Sequence, residues 1–147
     1  MPRRALVLAL AVLAFLAIAF LLARWLTTEG RERAKVTALL RAQARGDAAG
    51  MLARLDGCPA DPACAAQARA NAARLRRPGE LELLRYDSGT SYALGSATGP
   101  SRVVWQVPGR GLPVVQCVLV SREGSLLGGR SVTLRRLSAP IGLESSC

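Results

Sequence analysis

Val114-Val115-Gln116-Cys117-Val118-Leu119-Val120 decides how the rest of the chain is read. It is short, rich in β-branched residues and apolar at both even and odd positions. That pattern suits a strand covered on both faces, so the segment is expected inside a sheet with a neighbour on either side. Upstream, Val103, Trp105 and Val107 alternate with polar residues and read as the preceding strand, closed by the turn Pro108-Gly109-Arg110-Gly111. Earlier still, Leu81 and Leu83 alternate with Glu80 and Glu82, and Asp87-Ser88-Gly89 is a turn. A short strand is expected over residues 91–95, around Tyr92 and Leu94, with Gly99-Pro100 following as a break. Downstream, Glu123-Gly124 to Gly129 reads as a loop, Val132 and Leu134 begin a last strand, and residues 138–147 form a tail.

The segment before Gly79 has a different period. Val36, Leu39, Leu40 and Ala44 share one helical face, and a helical pattern is expected from Arg31 onward. Gly46 is a C-cap and Asp47 an N-cap for a short helix carrying Met51, Leu52 and Leu55, which Gly57 ends. Asp61 followed by Pro62 is a strong helix start. The third helix is expected to bury Ala66, Ala70, Ala73 and Leu75 and to expose Arg69, Arg74, Arg76 and Arg77, with Pro78-Gly79 as its stop. Three helices followed by about five antiparallel strands make an α+β domain.

At the N-terminus, residues 5–23 contain no charge, no Gly and no Pro. At 1.5 Å per residue they nearly cross a hydrocarbon core of about 30 Å, and Trp25 and Leu26 complete the span. Arg24 suits the headgroups and Trp25 the interface. A cleaved signal peptide is the rival reading, with Arg3 and Arg4 as its basic start. Ala17-Ile18-Ala19, however, lies inside the apolar run, and the run exceeds the roughly 7–15 residues of a typical signal core. An uncleaved anchor over residues 1–26 and a folded domain over residues 27–147 are therefore expected. Thr27-Thr28-Glu29-Gly30 reads as the break between them.

Flanking charge leaves orientation open. Arg3 and Arg4 favour a cytoplasmic N-terminus, whereas Arg24, Arg31, Arg33 and Lys35 favour the reverse. The cysteines decide. Cys58, Cys64, Cys117 and Cys147 all follow the apolar run, and an even count in a small domain behind such a segment reads as disulfides. Cys58 and Cys64 bracket a loop stiffened by Pro59 and Pro62, which makes them natural partners. Cys117 then pairs with Cys147 and pins the tail. Chain-entropy arguments give about 2 kcal/mol for the short loop and about 4 kcal/mol for the long one. A zinc site would need all four thiolates, since the chain has no histidine, and lacks the usual Cys-x-x-Cys pairs. Disulfides place the domain outside the cytoplasm: a single-pass protein of the cell membrane, N-terminus inside.

Composition also bounds function. Net charge is +10 with no histidine, and Lys35 is the single lysine among 20 basic residues. Without histidine, Ser-His-Asp and Cys-His nucleophiles and HExxH zinc chemistry are excluded. No phosphate-binding loop is present, and Gly109-Arg110-Gly111 and Gly128-Gly129 read as hairpin turns. Glu80 and Glu82 read as a solvated strand edge, and the basic surface as ordinary solvation. Tyr86, Tyr92 and Trp105 are candidates to line a pocket, with core packing the simpler reading. Nucleic acid is not expected as a partner, and no cofactor or metal is expected.

The stretch Lys35-Val36-Thr37-Ala38-Leu39-Leu40-Arg41-Ala42-Gln43-Ala44-Arg45-Gly46-Asp47-Ala48-Ala49-Gly50-Met51-Leu52 resembles the opening of small membrane-anchored bacterial members of the NTF2-like superfamily: an amphipathic helix, a Gly-Asp break, then a short helix. The resemblance covers about residues 31–138 and implies a roll, in which a bent sheet wraps the N-terminal helix into a cone. The sequence departs from the steroid-isomerase branch, whose Asp base and Tyr/Asp pair have here only Tyr86, Tyr92 and Asp87 as unanchored counterparts. The expected function is binding, without catalysis, of a partner protein (another membrane or envelope protein) or an apolar ligand. The lipid bilayer is the expected partner of residues 5–26. A small carboxylate/tyrosine acid–base enzyme, which would need a buried Asp or Glu, and a structural accessory subunit of a membrane complex are the alternatives.

Overall fold

A computed structural model describes residues 2–90, 95–125 and 129–147. Helix α1 runs unbroken over Pro2–Arg45, 44 residues or about 66 Å along its axis. Its N-terminal part, Arg3–Ala23, is long and apolar enough to cross a membrane. Every side chain described there is exposed, including Leu10, Leu13, Phe15 and Phe20. A contiguous apolar surface of this size has no stable place in water. It marks a membrane anchor or a signal sequence.

The break expected at Thr27-Thr28-Glu29-Gly30 does not interrupt the helix, nor does the helix start at Arg31. The apolar run ends there, but nothing stops the backbone. Thr27 donates its hydroxyl to Ala23 O at 2.7 Å, and no proline intervenes. Gly30 costs about 1 kcal/mol, whereas stopping and restarting would require a second helix nucleus. The helix ends instead at Gly46, at φ 76°, where Gly46 N–H donates to Gln43 O and Asp47 N–H to Ala42 O. Asp47 then caps α2 (Ala48–Leu52), accepting from Gly50 N–H at 2.8 Å.

After a 3-10 turn at Cys58–Ala60, Asp61 caps α3 (Pro62–Arg74) by accepting from Ala63 and Cys64 N–H. The rotation of α3 differs from expectation. Cys64, Ala65, Ala68, Asn71 and Ala72 are buried, with Leu75 just beyond, while Ala66 and Ala73 are exposed and Ala70 is half-buried. An alanine-rich helix presents similar methyls around its circumference, so periodicity alone does not orient it. Orientation comes from the Cys58–Cys64 bond and from Asn71, whose side chain donates to Ser138 O at 2.9 Å.

Four strands follow among the described residues: β1 (Glu82–Asp87), β2 (Ala97–Gln106), β3 (Val114–Ser125) and β4 (Gly129–Leu137). They form an antiparallel meander in the order β1-β2-β3-β4. The Val114–Val120 segment lies inside β3, between β2 and β4, as its two-sided apolarity requires. The strand expected over residues 91–95 falls, except for Gly95, outside the described residues.

Gly99-Pro100 is not a break but part of β2, paired with Val120 and Leu119. The β1 ladder ends at Asp87↔Arg102, so Pro100 sits where β2 is bonded on one side only. Gly99 is there because of close approach: a Cβ on it would meet Gly89 O at 2.7 Å. Glu123-Gly124 likewise belongs to β3 and Gly129 to β4, so these parts of the expected loop are strand; residues 126–128 lie outside the described set.

One face of the sheet carries Leu83, Val103, Trp105, Val118, Val120, Val132 and Leu134, which pack with Val36, Leu39 and Leu40 of α1, Met51 of α2 and Ala68 and Ala72 of α3. The opposite face carries the C-terminal tail. The chain first continues beside β3, where Ser138 and Ile141 donate N–H to Cys117 O and Val115 O; beyond them Arg102 donates to Leu143 O and Ser145 O, and Cys147 is bonded to Cys117. Both disulfides join the expected pairs, and no described cysteine is free.

Gly30 lies in the helix interior, and a Cβ added there meets nothing within 4 Å. Gly30→Ala should therefore stabilise the chain by about 0.5–1 kcal/mol, seen as a higher Tm of the full-length protein in detergent. An unchanged or lower Tm would show that the helix is not continuous at this point.

Candidate functional site

The chemistry-bearing residues brought together by this fold lie at the anchor end of the domain. Glu32 is on α1, one helical turn before Val36 and therefore on the buried face. It is 0 % exposed. Arg122 is on β3, two residues past Val120 and therefore on the inward face, and is 1 % exposed. The guanidinium grips one carboxylate oxygen: Arg122 Nε donates to Glu32 Oε2 at 2.5 Å, and Nη2 forms the ion pair with the same oxygen.

The remaining acceptor sites are filled by hydroxyls. Thr90 donates to Oε2 at 3.1 Å, and Ser88 and Ser101 donate to Oε1 at 2.9 and 3.1 Å. Tyr86 OH donates to the same Oε1. Arg122 also reaches Thr90 O and Ser88 Oγ, each at 3.4 Å.

A backbone irregularity aims Tyr86. The ladder pairs Leu83 with Trp105 and Arg85 with Val104, leaving Leu84 as an extra residue. Strict alternation from Leu83 would turn Arg85 inward. The bulge at Leu84 turns Tyr86 inward instead and leaves Arg85 outside, bonded to Asp87 at 2.8 Å.

The electrostatics follow from this shell. Burial alone would push the Glu32 carboxyl up; hydrogen bonds from Tyr86, Ser88 and Arg122, with the Arg122 charge, outweigh burial and hold it below its ordinary value. Tyr86 is pushed up, first by burial and then by its bond to the Glu32 carboxylate. The cluster is thus an ionised carboxylate with a neutral phenol, closed to solvent at Glu32. In that state it fixes α1 to three strands. It has no open oxygen with which to take a proton from a substrate.

A second buried polar group lies about three turns further along α1. Gln43 Nε2 donates to Gln116 Oε1 at 2.9 Å, Trp105 Nε1 donates to the same oxygen at 2.9 Å, and Gln116 Nε2 donates to Ser138 O at 2.9 Å. Trp105 is therefore a core residue, 0 % exposed, with the Arg77 guanidinium 5.7 Å from its ring centroid.

Of the sequence candidates, Tyr86 reaches the carboxylate cluster, Trp105 belongs to the glutamine pair, and Tyr92 lies outside the described residues. Glu80 and Glu82 are exposed, and Glu82 accepts from Gln106 at the edge of the sheet. Among the described residues, no group of three or more His, Cys, Asp or Glu converges as a metal-ligand set. Glu32, Ser88, Thr90, Ser101 and Arg122 escaped the reading by motif. Position would have found the charged pair: Glu32 precedes Val36 by one turn, and Arg122 continues the inward series Val118, Val120.

Comparison with known proteins adds no relative: no family model, no curated protein and no solved structure matches the chain.

Removing one partner of this pair leaves the other buried and unmatched. Arg122→Ala should cost about 3–5 kcal/mol in thermal or urea unfolding, and the apolar double variant Glu32→Leu/Arg122→Met should lose less than either single variant. Additive losses would refute a coupled pair. Because the Glu32 carboxyl is lowered on folding, its contribution is present above the ordinary carboxylate value of 4.5 and is lost as pH falls through the folded value. Tyr86 is raised, so its contribution is present below the ordinary phenol value of 10.0 and is lost as pH rises beyond it. A stability-against-pH profile should fall on both sides; Tyr86→Phe should remove the Tyr86 share of the alkaline limb and, by taking one hydrogen bond from the Glu32 carboxylate, also make the acid limb shallower.

Proposed function

We propose that this chain is a single-pass membrane protein, N-terminus in the cytoplasm, whose outer NTF2-like domain binds a partner protein without catalysing a reaction. The observation that carries the reading is the unbroken α1. The same helix that is apolar enough to cross a bilayer continues into the core of the domain, where Glu32 and Gln43 fasten it to the sheet. A domain fixed to its anchor in this way presents a defined face at a defined height, which suits docking within a membrane assembly more than capture of a free small molecule.

Further features support the same reading. Trp105, Leu39, Leu40, Met51 and Leu134 fill the interior where an apolar ligand of a cone-shaped roll would sit. The one buried carboxylate described, Glu32, has its oxygens occupied, which favours structure over acid–base chemistry. Helices followed by an antiparallel meander match the order implied by the NTF2-like resemblance. Disulfides fit an oxidising compartment, and with it the orientation proposed.

The full-length protein, extracted from its native membrane in mild detergent and run by native electrophoresis, should migrate in an assembly larger than the chain alone. Migration only as the free chain would remove the reading. Alkaline carbonate washing should leave the protein with the membrane. A soluble form lacking the apolar segment would identify that segment as a cleaved signal instead.

A further inference from the structure

Ion pairing in the domain is uneven. Arg85 and Arg102 pair with Asp87, Arg135 with Asp56 and Glu123, and Arg136 with Asp61. Arg41, Arg45, Arg69, Arg74 and Arg76 are all exposed, and among the described residues none of them has an ion-pair partner. No Asp or Glu occurs between Arg33 and Arg45, or between Pro62 and Gly79. The acid nearest in sequence to Arg41 and Arg45, Asp47, is half-buried and committed to capping α2; the one nearest to Arg74 and Arg76, Glu80, is exposed and forms no ion pair with either.

The fold gathers these arginines. The C-terminal ends of α1 and α3 meet where Arg77 N–H donates to Ala44 O at 2.8 Å. The stem of Arg76 lies beside Gly46, so close that a Cβ there would be 3.1 Å from Arg76 Cδ. Arg69 lies on the exposed side of α3, Arg76 just beyond its C-terminal end, and Arg41 and Arg45 are one turn apart on α1. The partial negative charge of two converging helix ends accounts for Arg45 and Arg74, in the last turns. The same charge bears on Arg76, which lies just past the end of α3 beside Gly46. It does not account for Arg41 and Arg69. Unpaired like charges held together oppose folding, so their assembly at one end calls for an external counter-charge.

We propose that this arginine surface, at the end of the domain farthest from the anchor, docks an acidic face of another protein. The inference rests on the partner-binding reading above and names its surface and chemistry. Arg45 lies about 33 Å along the helix from Ala23. Even with the helix tilted by about 40°, that is several times the Debye length of about 8 Å, so headgroups of the anchoring membrane are out of electrostatic reach. The oxidising compartment that fits the disulfides disfavours nucleic acid. Arginine, rather than lysine, suits forked pairing with carboxylates.

The test uses the full-length chain in zwitterionic phosphatidylcholine nanodiscs with a fluorescent poly-glutamate peptide as probe. R41Q/R45Q/R76Q should weaken binding roughly tenfold or more, whereas R31Q/R33Q/R54Q, which removes the same charge elsewhere, should change it by less than about twofold. Equal Tm values for the two triple variants exclude a folding defect; if R41Q/R45Q/R76Q does not fold, R45Q and R76Q singly are compared with R33Q. In native membrane extracts the first triple variant should leave the assembly and the second should remain in it. Equal weakening by both triples, or retention of the first in the assembly, overturns the proposal while leaving partner binding intact. A wild type that migrates alone removes partner binding, and the poly-glutamate comparison still judges the surface. Capture of phosphatidylglycerol vesicles lost in the first triple, with no preference for poly-glutamate, would assign the surface to a second membrane and overturn it too.

Discussion

Glu32 enters the interior as a charge. Burying a carboxylate without a partner costs several kcal/mol, a large share of the stability of a domain of this size, so the position of α1 on the sheet is tied to the position of Arg122 on β3. The guanidinium removes the charge penalty, and the hydroxyls of Tyr86, Ser88, Thr90 and Ser101 occupy the lone pairs it leaves. Those groups come from the end of β1, the turn after it and the start of β2. A slip of α1 by one residue would break all of these bonds together, whereas loss of the Leu84 bulge would turn Tyr86 away from the carboxylate. Apolar contacts alone tolerate such slips; a fully bonded ion pair does not. Gln43 and Gln116 repeat the device about 16 Å further along the helix and fix its rotation a second time.

Seen from the sequence, the apolar skeleton is legible and the polar fastenings are not. The two-sided run from Val114 to Val120 locates an interior strand because burial on both faces leaves a composition that few other environments allow. Asp61-Pro62 and Gly46-Asp47 locate helix ends because the chemistry of capping is local. Glu32 and Arg122 sit 90 residues apart, and nothing local distinguishes a buried arginine from the many solvated ones in so basic a chain. Local reasoning also misjudged Gly99-Pro100 and Thr27-Thr28-Glu29-Gly30. Both look like punctuation in isolation. In context, one is accommodated by a strand with a free side and the other by a helix anchored at both ends.

The two disulfides act at opposite layers. Cys58–Cys64 closes the short connection that turns the chain into α3, on the helical side of the sheet. Cys117–Cys147 ties the tail to the other side, where the Arg102 guanidinium also holds it. Arg41, Arg45, Arg69 and Arg74 lie on the helical side instead.

Continuity of α1 also has a mechanical meaning. If the apolar part is held in a bilayer, a tilt of about 20° from the normal is ordinary for a membrane-spanning helix. Because no joint separates the apolar part from the part locked into the sheet, such a tilt is carried into the domain as a lever arm. Over the roughly 33 Å from Ala23 to Arg45, it swings the far end sideways by about 11 Å. Any change in such a tilt would therefore shift the arginine surface sideways relative to the membrane.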